Sequence, residues 1–162
     1  MLTSEQAWDV LARVADPEIP VISVTELGIV REVSAGAEAV EVVVTPTYSG
    51  CPATEAIARS IVEALRAAGA AEVRVETRLA PAWTTDWIAP EAKEKLRRYG
   101  IAPPGAAADA APVRTIGFAP RVDCPLCGSR NTERLSAFGA TACKALYRCV
   151  ACREPFEHFK PI

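Results

Sequence analysis

The spacing of hydrophobic residues along the chain predicts three helices. The clearest runs from Pro52 to Ala68, where Ile57, Ile61 and Leu65 recur at every fourth position and so share one face. Pro52 suits the first helical position, because its missing N–H has no partner inside the helix there. The other two helices are predicted over residues 3–14, where Thr3 and Gln6 have the spacing of a capping box, and over residues 90–99.

Alternating and β-branched segments predict a small sheet. Residues Ile29–Ser34 and Ala39–Thr45 should form a hairpin, and Glu72–Leu79 should form a third strand. The prolines within Glu18–Val24 exclude a helix and favour an extended segment. Together these elements indicate an α+β fold, in which a small mixed sheet packs against helices.

A stretch of low complexity divides the chain into two unequal parts. Residues 102–112 consist almost entirely of alanine, proline and glycine, which is typical of a linker. We therefore predict a first domain over residues 1–101 and a second over residues 113–162, with strands at Val113–Phe118 and Lys144–Arg148. The full length of 162 residues allows one ordinary domain plus a small one that needs additional stabilisation.

Composition and charge exclude several classes of protein. The sequence has no apolar run long enough to span a membrane, and its N-terminal residues lack the basic and apolar parts of a secretory signal, so we expect a cytoplasmic protein without membrane contact. Residues 121–162 carry 7 Lys and Arg against 4 Asp and Glu, a net charge of +3 that is small for a nucleic-acid-binding surface. The chain has one histidine and no glycine-rich phosphate loop, which argues against an enzyme.

Five of the six cysteines lie in the C-terminal part and predict a metal-binding β ribbon. Cys124 and Cys127 form one Cys-x-x-Cys pair, and Cys149 and Cys152 form the other, which is the spacing of two metal knuckles around a tetrahedral ion. Four thiolates serve zinc or an iron–sulfur centre, and we favour structural zinc because a closed site leaves no position for a substrate water. Cys143 lies between the knuckles and could replace one ligand or remain a free thiol.

His158 is interpreted as a surface residue. It lies in the segment Pro155–Lys160, where the neighbouring phenylalanines indicate a strand that packs its aromatic side chains.

The remaining cysteine, Cys51, immediately precedes the predicted Pro52 helix, at its N-cap. The partial positive charge at a helix start favours an anionic sulfur, which can attack an electrophile or bind a soft metal. A buried cysteine that serves as a small apolar cap is the alternative. Asp16 and Glu18 are the acidic residues that we expect near this helix start.

Four segments resemble a known family. Asp16–Pro20, Glu26–Val30, Thr45–Ala53 and Pro81–Trp87 resemble the small domain of proteins that assemble and target iron–sulfur clusters. The cysteine-rich segment Phe138–Phe156 narrows the resemblance to the D-component family of bacterial phenylacetyl-coenzyme A epoxidases. This resemblance implies an α+β domain followed by a zinc ribbon, and a non-catalytic accessory role in aerobic phenylacetate degradation.

The resemblance also implies partners and site residues. In that system a di-iron oxygenase receives electrons from a reductase with a [2Fe–2S] centre, and the D component would help mature this centre. Cys51 is then the cluster-transfer residue, with Asp16 as its neighbour, and it would hold iron or a cluster transiently, alone or paired across a homodimer. Two alternatives stay open: an adaptor that docks oxygenase or reductase subunits through its ribbon, and a nucleic-acid-binding zinc ribbon.

Overall fold

A computed structural model describes residues 2–106 and 121–162. The predicted strand Val113–Phe118 and most of the predicted linker lie outside these ranges. The chain divides into two compact units, Met1–Trp83 with Trp87–Ala89, and Thr84–Asp86 with Pro90–Ile162. The helix at Pro90–Tyr99, which we expected to close the first domain, thus groups with the second unit, and the domain boundary at residue 101 stays a prediction.

The first unit confirms the predicted α+β architecture. Its sheet has the order β1-β2-β3, with β2 antiparallel to β1 and parallel to β3. Helix α1 contacts both β1 and helix α2, and α2 contacts β3. The elements are α1 (Ser4–Leu11), β1 (Val30–Ala35), β2 (Val40–Val44), α2 (Ala53–Ala67) and β3 (Val73–Thr77).

The two helices form for the reasons that the sequence suggested. In α1 the Thr3 hydroxyl accepts from the Gln6 backbone N–H while the Gln6 side chain accepts from the Thr3 N–H, so the predicted capping box is present. In α2 one stripe of side chains is buried, comprising Ala53, Ile57, Ile61 and Leu65. Burial of such a stripe, more than helix propensity, stabilises a helix of this length.

The segment that follows α1 differs from the prediction. Instead of an extended segment, residues 16–28 form consecutive turns, closed by a bridge between Ala15 and Ser23. One oxygen of the Asp16 carboxylate accepts from the backbone N–H groups of Glu18 (2.9 Å) and Ile19 (2.8 Å). Such a side-chain bond to the backbone two and three residues later replaces the pairing that an extended strand would need.

Gly28 ends this segment at a close backbone contact. It has φ +76°, and a Cβ atom there would lie 2.7 Å from the carbonyl oxygen of Trp87. The Arg31 guanidinium lies 3.6 Å from the centre of the Trp87 ring, and the Trp83 indole N–H donates to the Leu27 carbonyl at 3.0 Å. Only glycine tolerates both the conformation and the approach, so this turn and the two tryptophans form one packed assembly.

The second unit contains one helix and a four-stranded sheet. The sheet has the order β4-β7-β6-β5, in which β4 and β7 are parallel and the other pairs are antiparallel. The elements are a 3₁₀ turn at Thr85–Trp87, whose residues divide between the two units, α3 (Pro90–Tyr99), β4 (Ile101–Ala102), β5 (Thr132–Ser136), β6 (Lys144–Cys149) and β7 (Pro155–Phe159). The strand-forming segments around the paired cysteines therefore make the β ribbon that their spacing predicted.

The prediction of a surface position for His158 is wrong. His158 lies on β7 with only 6% of its surface exposed, and its ring meets the Tyr147 ring edge-on at a centroid distance of 5.5 Å. Burial, with a smaller contribution from the charge of Lys160, lowers the pKa of His158 to about 4. The strand itself is as predicted, since Phe156 and Phe159 are both buried.

No helix within residues 2–106 or 121–162 is long and apolar enough to cross a membrane.

Candidate metal centre and the Cys51 segment

Two tight turns carry the four cysteines of the candidate metal centre. In the first turn, the Gly128 N–H donates to the Cys124 carbonyl at 2.8 Å, and Gly128 has a φ of +76° that reverses the chain just after Cys127. The second turn follows β6, and there the Cys152 N–H donates to the Cys149 sulfur at 3.5 Å. Each turn thus directs two sulfurs to the same side, as a metal knuckle requires.

The four sulfurs are spaced to bind a single ion. The Sγ atoms of Cys124 and Cys152 are 3.8 Å apart, those of Cys127 and Cys149 are 3.6 Å apart, and all four lie within 4.8 Å of one another. A tetrahedral zinc with Zn–S bonds of about 2.3 Å separates its sulfurs by about 3.8 Å. A disulfide would need about 2.05 Å, so the spacing fits a metal site and not a pair of disulfides.

The electrostatics of the four thiols favour a bound cation. The backbone N–H of Cys152 lowers the pKa of Cys149 to about 7. A backbone bond from Glu154 lowers the pKa of Cys152, but burial and the other three thiols outweigh it and raise the value to about 12. Four neighbouring thiolates repel one another, and a divalent ion at their centre removes that penalty.

The centre is packed against the hydrophobic core of the second unit. Cys124 and Cys149 are buried, Cys152 is half-buried and Cys127 is exposed. Tyr147 and Phe156 stack at 5.8 Å beside the buried cysteines and belong to the same apolar cluster. Because the four sulfurs fill a tetrahedral set, the ion would serve the fold and leave no position for a substrate.

Cys143 does not belong to this group of four sulfurs. It is buried, its sulfur lies 3.0 Å from the Thr141 hydroxyl, and its carbonyl accepts from the Lys160 N–H at 3.0 Å. The fifth cysteine of the ribbon is therefore part of the hairpin tip between β5 and β6.

Cys51 precedes α2 by two residues. The helix begins at Ala53 with Pro52 as its N-cap, so Cys51 lies one position further from the helix than predicted. Its N–H donates to Tyr48 at 3.3 Å and its carbonyl accepts from Thr54 at 3.1 Å, which fixes the backbone on both sides of the thiol. The thiol is half-buried and forms no disulfide, so it is neither sealed in the core nor fully exposed.

Asp16 has a structural task in the described chain. It is buried, and its carboxylate holds the loop of residues 16–28 through the two backbone bonds given above. The proximity of Asp16 to Cys51 stays a prediction, as does a direct role for Asp16 in metal transfer.

Sequence reasoning missed a group of charged residues around the hairpin tip. Lys144 is buried and pairs with Glu157 at 2.6 Å, and Lys160 lies over the Phe138 ring. The available signal was the tip itself, where small residues surround one aromatic residue in the segment Phe138–Cys143.

Comparison with protein families separates the chain into two matches. Residues 4–77 match the family described as iron-sulfur cluster assembly protein. Residues 108–160 match the family described as PaaD zinc beta ribbon domain. The second match contains all four cysteines of the metal centre, and the first contains Cys51.

Two curated proteins are similar to the chain over different lengths. The D component of the putative 1,2-phenylacetyl-CoA epoxidase of Escherichia coli is 50% identical over 157 residues, which is 97% of this chain and 92% of that protein. An Fe-S protein maturation auxiliary factor of Porphyromonas gingivalis is 35% identical over 98 residues, which is 58% of this chain and 90% of that protein. The first similarity extends over both units.

Two solved structures resemble part of the chain. A crystal structure of a DUF59 domain of unknown function from Bacillus anthracis is 25% identical, with a TM-score of 0.53, and the match covers 57% of this chain and 90% of that one. A conserved hypothetical protein from Thermotoga maritima is 31% identical, with a TM-score of 0.51, and the match covers 59% of this chain and 94% of that one. These similarities agree with the α+β fold described above.

Proposed function

Since this chain belongs to the family of 1,2-phenylacetyl-CoA epoxidase D components, we propose that it is a non-catalytic accessory protein that matures the iron–sulfur centre of a multicomponent epoxidase. The observation that carries this proposal is the joint presence of an iron–sulfur assembly domain and a PaaD zinc ribbon in one chain. The work would take place in the cytoplasm, and the recipient would be the reductase, the component that carries the iron–sulfur centre.

Cys51 is the proposed point of contact with the cargo. Its half-buried thiol stands on a backbone that Tyr48 and Thr54 hold in place, beside the N-terminus of α2. On binding, the thiol loses its proton to solvent and its thiolate coordinates iron or an iron of a cluster. On transfer, a cysteine thiolate of the recipient replaces it, so that the sulfur leaves as it came and no oxidation occurs. A second copy of the chain could supply a second thiolate.

The ribbon's four cysteines are the proposed site of a structural zinc ion. The fit of the sulfur spacing to a single tetrahedral ion supports a mononuclear metal, since a multi-iron cluster distributes its cysteines over several irons. A zinc-loaded protein would be colourless, whereas mononuclear iron or a cluster would give visible absorption. Metal analysis together with an absorption spectrum of protein purified without oxygen distinguishes them.

The test of cluster maturation is a Cys51→Ala variant in cells that express the epoxidase system. We expect the purified reductase to lose most of its iron and acid-labile sulfide and growth on phenylacetate to fail. Ser49→Ala, an exposed residue of the same loop, is the matched control and should leave both unchanged. Full cluster occupancy of the reductase with Cys51→Ala would show that the proposal is wrong.

An adaptor function is the second candidate, supported by the exposed apolar residues of the ribbon unit, among them Leu126, Leu135 and Phe138. In this case the chain would hold epoxidase subunits together without handling iron. Loss of the metal centre through Cys127→Ser would then disrupt co-purification of the subunits, while Cys51→Ala would have no effect on the reductase's cluster.

A further inference from the structure

The hairpin tip between β5 and β6 presents an aromatic side chain to solvent. Phe138 has 64% of its surface exposed, and Leu135, three residues earlier, has 51%. Leu135 lies where the pairing of β5 with β6 shifts register between Arg134 and Ser136, at the outer edge of the sheet. Large apolar side chains at an edge favour association with another surface, so their exposure calls for a function.

The tip is held in one conformation by a buried ion pair. Lys144 and Glu157 meet at 2.6 Å, and the lysine side chain is only 5% exposed. The other Glu157 oxygen accepts from the Ala140 N–H at 2.8 Å, and it would lie 2.6 Å from a Cβ atom placed on Gly139. The Gly139 N–H in turn donates to the Lys144 carbonyl at 2.7 Å. The small residues of the tip thus allow it to close over the carboxylate.

Two further contacts fix the aromatic ring itself. Lys160 donates from its amine to the Ala137 carbonyl at 3.0 Å, and the same amine lies 4.5 Å from the centre of the Phe138 ring. The Phe138 N–H donates to the Ser136 hydroxyl at 3.2 Å. An aromatic residue that is already ordered loses little conformational entropy on binding, which is the property of an interface anchor.

The surroundings of the ring are positively charged. Among the described residues, neither Arg134 nor Lys160 has a carboxylate within 4 Å, whereas Arg130, Lys144 and Arg148 are all paired. Burial and, to a smaller extent, the charge of Arg134 lower the pKa of Lys160, which indicates that the two cations are neighbours. The charge of this surface is therefore available to a partner.

We propose that Phe138, Leu135, Arg134 and Lys160 form a docking surface, the Phe138 surface, for a protein partner that offers an apolar pocket rimmed by carboxylates. The partner is the reductase, an assignment that rests on the proposed function. Phe138 would fill the pocket, and the two cations would pair with its rim and orient the encounter. The Phe138 surface is distinct from Cys51, so docking and metal transfer use different residues.

The test measures binding of the full, metal-loaded chain to the purified reductase by biolayer interferometry. We expect Phe138→Ala and Arg134→Glu each to raise the Kd about tenfold or more, and Phe138→Trp to keep it within about threefold. Binding should also weaken as salt is raised. Leu79→Ala, an equally exposed apolar residue of the first unit, is the matched control and should bind like the wild type.

Three results would overturn the proposal. The first is wild-type affinity of both Phe138→Ala and Arg134→Glu, and the second is the absence of any binding between the wild-type chain and the reductase. The third is a concentration-dependent dimer of the chain that Phe138→Ala abolishes, because the occupant would then be a second copy. Metal content and the far-ultraviolet circular dichroism of each variant establish that it is folded, and Arg134→Glu carries the test if Phe138→Ala is not.

The same assay separates this proposal from the proposed function. Cys51→Ala should bind the reductase with wild-type affinity but leave its cluster incomplete, whereas Phe138→Ala should lose affinity. Lost affinity of Phe138→Ala together with a complete cluster in the presence of Cys51→Ala would keep the docking surface and reject cluster transfer through Cys51.

Discussion

Removal of either partner of the Lys144–Glu157 pair should destabilise the second unit, and by unequal amounts. The Lys144 side chain is 5% exposed and that of Glu157 is 24% exposed. Burial raises the pKa of Glu157, but the bonds from Lys144 and the Ala140 N–H lower it below its usual value. The carboxylate is therefore ionised in the fold at neutral pH, and each charge depends on the other for solvation.

The magnitudes follow from which charge is left behind. Glu157→Gln leaves the buried ammonium of Lys144 without its counter-charge, which costs about 3 kcal/mol or more. Lys144→Met leaves a carboxylate that reaches water and keeps its bond from Ala140, so we expect a cost of about 1–2 kcal/mol. The double variant removes both charges, and its cost should be below the sum of the two by about 1–3 kcal/mol.

Amide hydrogen exchange of β6 and β7 in metal-loaded protein measures these free energies where they act. All three tryptophans lie in the first unit, so their fluorescence would report on the wrong part of the chain. The control is Arg130→Met, because the Arg130–Asp123 pair is exposed and its removal should change stability by less than about 0.5 kcal/mol. Equal losses for the two single variants, or strict additivity, would refute the assignment of Lys144 as the more dependent charge.

Three further predictions concern other parts of the molecule. Ile61→Ala removes a fully buried side chain of α2 and should cost about 2–5 kcal/mol in urea denaturation followed by tryptophan fluorescence, whereas the exposed Glu63→Ala should change little. His158 has its pKa lowered to about 4, so the unfolded chain takes up a proton first as pH falls below about 6.5. The second unit should then lose about 3 kcal/mol between pH 6.5 and 4, and a smaller pH dependence of hydrogen exchange in His158→Phe, compared at each pH with the wild type, checks this. Titration of apo-protein with zinc should give one ion per chain with release of protons, and Cys127→Ser should weaken binding by at least about tenfold while Cys143→Ser leaves it unchanged.

The elements with a strong hydrophobic period could be predicted closely from the sequence. α2 and α3 lie where the pattern placed them, within one residue at each end, and the hairpin of β1 and β2 is present. The four metal ligands followed from spacing alone, because two knuckles of this kind have few other uses in a chain without disulfides. Local periodicity and ligand spacing are properties that a single sequence contains in full.

The parts that were not predicted depend on contacts between distant or irregular segments. The loop of residues 16–28 is shaped by bonds from the Asp16 side chain to the backbone, which no hydrophobic pattern displays. The parallel pairing of Ile101 with Glu157 joins residues far apart in sequence. His158 is buried because Tyr147 packs against it across the sheet, and a lone polar residue in a strand gives no sign of that.

The pairing of β4 with β7 has a consequence for synthesis of the chain on the ribosome. Ile101 and Ala102 emerge more than fifty residues before their partners Glu157 and His158, and Cys124 and Cys127 emerge before Cys149 and Cys152. During that interval the first knuckle can offer only half of its ligand set, and the sheet lacks the strand that connects its two halves. Capture of the ion and closure of the sheet are therefore late events of translation, and a ribosome that stalls between residues 130 and 145 would present two unprotected thiols to the cell.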